Sequence, residues 1–296
     1  LKNSPSCALC SLIANAVEST RLEWQGDEEI RLDNTVICKV RLQPYPYKTT
    51  KDFKVINIVT NFPFQGPSYG MQLYPVAPEK NSRILFGRPL NHDGISFPLI
   101  RSWIEICSEN HSDSCQLSMS IKEFSEFLQI SSEILLVDVQ DNCITQVQEP
   151  CDYVALSYVW GQCKSIQLTR ANKEAMTVPV SLMSILEDLP QVIRDAIEFT
   201  KRLGERRLWI DSLCIVQDDE AMKANIIGKM NLIYRYALVT IIAATGLDAN
   251  AGLSRIRPAR HTLVPEMAFI DSKLGLIHPS SHTSLRNSVW ASRGWT

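Results

Sequence analysis

Residues 189–219 read LPQVIRDAIEFTKRLGERRLWIDSLCIVQDD, and this stretch decides the fold. Its first half is a helix pattern: Pro190 suits a first turn, Ile193, Ile197 and Thr200 fall along one face, and Gly204 stops the helix. A short apolar run follows at once, Leu208, Trp209 and Ile210, and ends on Asp211. A buried strand has no use for an unpaired carboxylate, which is expensive to desolvate. Asp211 therefore either caps the turn that follows or is held out for chemistry.

Working outward, YVALSYVWG (153–161) precedes this stretch and YALVTIIAAT (236–245) follows it, each a short apolar run of strand type. Between RRLWID and the last run lies a second helix pattern, from about Asp219 to Tyr236, with Met222, Ile226, Met230 and Tyr234 at four-residue steps. Strand, helix, strand, helix, strand predicts an α/β domain with a parallel sheet flanked by helices. Ligands of such open sheets bind outside the carboxyl ends of the strands. Those ends are Tyr158, Trp160 and Gly161 on the first run, Asp211 on the second, and Ala244, Thr245 and Gly246 on the third. The acidic run Asp218, Asp219 and Glu220 would start the second helix, where the dipole favours negative charge.

Residues 151–296 are thus expected to form the α/β domain, and residues 1–150 an irregular α+β accessory segment. The segment opens on a helical CALCSLIANAVEST (7–20), passes through the β-rich TVICKVRL (35–42) and FKVINIV (53–59), and crosses a Pro/Gly-rich loop. It then reaches PLIRSWIEICSEN (98–110), where Leu99, Ile100, Trp103, Ile106 and Cys107 have near-helical spacing.

With 296 residues, 45% of them hydrophobic, the chain has enough apolar side chains for a substantial core. Its 30 basic and 32 acidic side chains nearly balance, and no basic stripe interleaves with aromatics, which disfavours nucleic acid as a partner. No run approaches the roughly 18–20 apolar residues of a membrane span, and a cytoplasmic location is expected. Nine scattered cysteines fit reduced thiols or a metal site better than a disulfide framework. Cys7-x-x-Cys10, with His111 and Cys115, could supply a Cys₃His set for a structural zinc ion, and Cys107 is a fifth candidate. The alternative is that these are core thiols and a helix-end histidine.

Four stretches in order, YVALSYVWG, LPQVIRDAIEFTKRLGERRLWIDSLCIVQDD, MNLIYRYALVTIIAATG (230–246) and SRGWT (292–296), resemble the motifs of the fungal heterokaryon incompatibility (HET) domain. LIRSWIEICSENHSDSC (99–115), followed by ILLVDV (134–139), is similar to the segment that often precedes that domain. The resemblance implies a role in fungal non-self recognition and regulated cell death, with self-association or another incompatibility protein as partner. Through a proposed kinship of HET with Toll/interleukin-1 receptor (TIR) domains, it also implies a TIR/flavodoxin-like core and cleavage of NAD at its nicotinamide bond. On that analogy ALSYVWG is the first strand, LWIDSL the second strand with its functional loop, and SRGWT the serine/tryptophan motif. In the family a glutamine and a glutamate follow that last motif. Where the family commonly has an acidic residue and a tryptophan, this sequence has Met222 and Lys223.

Such cleavage needs a carboxylate beside the ribose, aromatic surface for the rings, and donors for the diphosphate. Asp211 is the candidate catalytic residue. Ser157, Tyr158, Trp160, Gly161, Gln217, Asp218, Arg293 and Trp295 are the candidate ligand contacts, with NAD as substrate. Trp160 and Trp295 have core packing as their other reading, and Arg293 an ion pair. No G-x-G-x-x-G or P-loop follows any strand, which disfavours redox and kinase chemistry. The other readings are a non-catalytic signalling module and a thiol hydrolase on Cys214, although no histidine lies between His111 and His261 to serve as its base.

Overall fold

The computed structural model describes residues 38–44, 54–60, 71–75, 94–110, 134–147, 149, 151–244, 246–254, 256, 267–270, 274–277 and 288–292. The chain divides into two compact units, one of residues 1–92 and 261–281, the other of residues 93–260 and 282–296. The unit that holds the expected parallel strands thus also takes in residues 93–150.

In the first unit, β1 (Cys38–Pro44), β2 (Lys54–Thr60) and β3 (Met71–Pro75) pair antiparallel in sequence. Strands β9 (Met267–Ile270) and β10 (Leu274–Ile277) join them to give the order β1-β2-β3-β10-β9. TVICKVRL and FKVINIV supply β1 and β2. The helical reading of residues 7–20 lies outside the described residues.

The second unit carries a sheet of order β5-β4-β7-β6-β8, built from β4 (Leu135–Asp138), β5 (Cys143–Gln146), β6 (Val154–Ser157), β7 (Arg207–Trp209) and β8 (Val239–Ile242). The three expected strands are parallel: β6 pairs with β7 on one side and β8 on the other. The sheet as a whole is mixed rather than parallel, because β4 adds antiparallel to β7, and β5 antiparallel to β4. This hairpin covers the edge of β7 that would otherwise leave unpaired N–H and C=O groups. Asp138 builds its turn by accepting from the backbone N–H groups of Gln140 and Asp141, both at 3.0 Å. Its other oxygen takes Arg206 Nε at 2.8 Å and the Arg207 guanidinium. Burial alone would raise the Asp138 pKa, but the backbone N–H of Asp141, Arg206 and Arg207 together hold it below the usual carboxylate value.

Strand β6 is buried along its whole length and β7 from Leu208 onward, as sheets covered on both faces require. Val154, Ala155, Leu156, Leu208, Trp209 and Ile210 are all at zero exposure. Helix α1 spans Phe97–Asn110, and the short α2 spans Lys173–Met176. Helix α3, Gln191–Leu203, buries Ile193, Ile197 and Thr200 as their spacing predicts. It closes in a Schellman turn: Gly204 at φ +95° donates to Lys201 O, and Glu205 donates to Thr200 O, both at 3.1 Å. Helix α1 packs on it through Phe97, whose ring lies 5.3 Å from that of Phe199. Arg101 donates to the end carbonyls of Arg202 and Leu203. Ile100 and Ile104 face the core, whereas Trp103 and Ile106, placed on the apolar face by spacing, are 54% and 46% exposed.

The expected single helix over 219–236 is two, because Gly228 and Lys229 interrupt it. After the one-turn α4 (Asp211–Cys214) come α5 (Glu220–Ile227) and α6 (Met230–Tyr236). Glycine in a helix interior is a weak point of roughly 1 kcal/mol relative to alanine, and the chain bends there. Asp219 caps α5, accepting from Met222 N at 3.1 Å, with Arg170 paired to it at the same distance.

Candidate functional site

Strand β6 lies between β7 and β8, so the strand order reverses at β6, the kind of point where open α/β sheets bind ligands. There the chain leaves β7 through Ile210, still extended at φ −135° and ψ 120°, and turns at once into α4. The Ile210 carbonyl accepts from Leu213 N at 3.1 Å and Cys214 N at 2.7 Å. That turn sets Asp211, half-buried, at the carboxyl end of the sheet.

Both oxygens of Asp211 are engaged. One accepts from the backbone N–H of Ser212 at 2.7 Å, and the other from Trp160 Nε1 at 2.9 Å. The sequence left capping and presentation as alternatives. The geometry contains a local turn contact and, beside it, an indole from the end of β6 that orients the carboxylate. Gln217 Nε2 donates to the Asp211 carbonyl at 2.9 Å and to that of Ile215 at 3.1 Å, which locks the turn from below.

Gly161 explains how Trp160 is held. It sits at φ +63°, and a Cβ there would fall 2.4 Å from Cβ of Asp248. Only glycine lets the loop after β6 lie this close to the loop after β8, where Ala249 N donates to the Trp160 carbonyl at 3.4 Å.

These elements enclose a cavity of about 440 Å³. Ser157, Trp160, Asp211, Ile215 and Gln217 line it from the strand ends, Lys223, Ile227, Met230 and Tyr234 from α5 and α6, Thr240 and Ile242 from β8, and Trp290 from the later chain. Trp290 Nε1 donates to Ser157 Oγ at 2.8 Å. Lys223 Nζ reaches the Gln217 carbonyl at 3.5 Å. Tyr234 stands edge-on to the buried ring of Trp209, with centroids 5.5 Å apart at 83°.

Of the candidates read from sequence, Ser157, Trp160, Asp211 and Gln217 meet on this wall. Tyr158 does not: it is 3% exposed and its hydroxyl donates to Ser212 Oγ at 3.0 Å. Burial, and then the Asp211 carboxylate, push that phenol well above its ordinary pKa, so it stays protonated. Gly161 shapes the loop without lining the cavity. Asp218 is exposed and accepts from Arg170 N at 2.8 Å, a bond that ties two loops together. Arg293 and Trp295 lie outside the described residues, as do Cys7, Cys10, His111 and Cys115. Cys107 lies in the last turns of α1, and no cluster of three or more metal-ligating side chains occurs among the described residues. Sequence reasoning missed Lys223, Tyr234 and Trp290.

Cys214 has no exposure, and burial pushes its thiol up to about 12. Its sulfur accepts from Ile210 N at 3.3 Å and approaches the Leu208 carbonyl at 3.8 Å. A protonated, inaccessible thiol is no nucleophile at neutral pH.

Fold and cavity together define an α/β domain with a crevice at the ends of its parallel strands. Residues 153–296 match the family model described as heterokaryon incompatibility protein (HET), so the chain carries a HET domain there. It is also similar to heterokaryon incompatibility protein 6, OR allele, of Neurospora crassa, at 31% identity over 100 residues. That match covers 32% of this chain and 15% of the relative's length. No solved structure matches the chain. Among the described residues, no helix is long and apolar enough to cross a membrane.

Proposed function

We infer that this chain acts in fungal heterokaryon incompatibility and promotes regulated cell death by hydrolysing NAD or a related nucleotide in the β6–β7–β8 crevice. The observation that carries the reading is Asp211, an oriented carboxylate on the wall of a cavity that also holds the indoles of Trp160 and Trp290. The order β7-β6-β8 begins the flavodoxin-like arrangement and supports the TIR likeness. The family match and the relative's name support the biological role.

The chemistry asks little of the protein. The nicotinamide nitrogen of NAD is already cationic, so it leaves as a neutral base without a proton donor. The bond from ribose C1′ to nitrogen breaks, its electrons go to the ring, and positive charge spreads over C1′ and the ring oxygen. Asp211 stabilises that charge at short range from the cavity wall. Water then bonds to C1′ and its proton passes to Asp211 and on to solvent. The two indoles offer faces for a flat ring.

The test is incubation of the pure full chain with NAD and detection of free nicotinamide. A non-catalytic module that self-associates is the second reading, favoured by Trp103 and Ile106, which α1 leaves exposed three residues apart. That reading predicts no nicotinamide and a concentration-dependent mass. The zinc site on Cys7, Cys10, His111 and Cys115 stands as a separate structural proposal.

A further inference from the structure

We propose that Lys223 makes the crevice selective for N-ribosides that carry a 5′-phosphate, so that the unit recognised inside it is a pyridinium mononucleotide. The proposal rests on the reading of the crevice as a nucleotide site and names the substrate class it takes.

Among the described residues lining the cavity, Asp211 and Lys223 are the two that carry charge. They are tied through one residue. Gln217 holds the Asp211 carbonyl with its side chain and takes Lys223 Nζ on its own carbonyl. Lys223 itself is fixed from behind. Its backbone N–H donates to Asp219 O at 2.8 Å, in the turn that Asp219 caps and Arg170 anchors. An ammonium has three N–H donors, and the long 3.5 Å contact to Gln217 uses one of them weakly.

A ligand that answers this wall needs a centre of developing positive charge toward Asp211 and an anion toward Lys223. A ribosylated pyridinium 5′-phosphate has both on one sugar. An unphosphorylated riboside leaves a half-buried ammonium to be desolvated with no anion opposite, which costs affinity. At about 440 Å³ the cavity is near the small end of ligand sites and suits one nucleotide rather than two. In NAD, the phosphate at this position is the one on the nicotinamide side.

The experiment is calorimetric titration of the full chain with nicotinamide mononucleotide and with nicotinamide riboside. It is run on the wild type, Lys223→Met and Lys223→Arg, each checked by melting. The expected result is a preference for the mononucleotide of at least about tenfold in the wild type, the scale of one charge-assisted contact. That preference should collapse in Lys223→Met, which keeps the stem, and persist in Lys223→Arg. Equal affinities in the wild type, or an undiminished preference in Lys223→Met, overturn the proposal while leaving the nucleotide reading intact. Failure of both ligands to bind any of the three proteins overturns the nucleotide reading, and the proposal with it.

Discussion

Asp138→Asn tests how the strand that delivers Asp211 is held. The carboxylate is 2% exposed; one oxygen takes two backbone N–H groups and the other takes Arg206 and Arg207. An amide has the same shape but only one acceptor. In either orientation its NH₂ faces donors, either the two guanidinium groups or the two N–H groups of the turn. Two charge-assisted bonds are at stake, worth roughly 1.5–3 kcal/mol each where water cannot replace them. Arg206 is 45% exposed and keeps Asp141 at 2.6 Å, so its share is discounted heavily, whereas Arg207 is 25% exposed. The expected loss is about 2–3 kcal/mol, or on the order of 4–12 °C in Tm for a unit of this size. The folded-state pKa of Asp138 is lowered, so its stabilisation is fully present above the unfolded value near 3.9 and disappears as pH falls through the folded one. The wild type and the variant should therefore differ most at neutral pH and converge in acid. Thermal melts at pH 7 and at pH 3 measure both. A variant that melts with the wild type at pH 7, or a gap that widens in acid, refutes the reasoning.

Gly161→Ala should destabilise by about 1–3 kcal/mol, since it combines φ +63° with a Cβ 2.4 Å from that of Asp248; a melt within one degree of wild type would contradict that close approach. Cys214, with its thiol pushed up to about 12, should resist a thiol reagent at pH 8 in the folded chain while the exposed Cys151 reacts; peptide mapping after labelling reads the outcome, and rapid modification of Cys214 would mean the β7 turn opens. The zinc proposal expects about one equivalent of metal per purified chain and a lower Tm after chelation; metal-free protein with unchanged melting removes it.

Much of this fold was legible because its signals are local. The α3 face of Ile193, Ile197 and Thr200 follows from spacing, Gly204 from the turn it must make, and β6, β7 and β8 from apolar runs separated by helix patterns. The β4–β5 hairpin was not read as part of the sheet, since β4 is four residues buried on both faces and its pairing to β7 is set some 70 positions away. The break at Gly228 was hidden by an apolar period that runs through both helices. Within the site, strand-end residues were visible from the topology rule, which is why Trp160 and Asp211 were found. Tyr158 follows the buried stretch of β6 and turns into the core, a choice one position of register decides. Lys223 and Trp290 join the cavity only through tertiary packing. The one sequence signal for Lys223 was its departure from the HET pattern, and for Trp290 its place just ahead of SRGWT.

The central claim, that Asp211 does chemistry on a nucleotide, is tested most directly by nicotinamide release from NAD by wild-type chain and Asp211→Asn. The amide keeps one acceptor for Ser212 N or Trp160 Nε1 and removes the charge. A melt of each protein accompanies the assay. Nicotinamide is expected from the wild type, with a fall of about 10²-fold or more in the variant, the scale of losing one preorganised electrostatic group, and with Tm within a few degrees. No nicotinamide from the wild type, or an unchanged rate from Asp211→Asn, would contradict it.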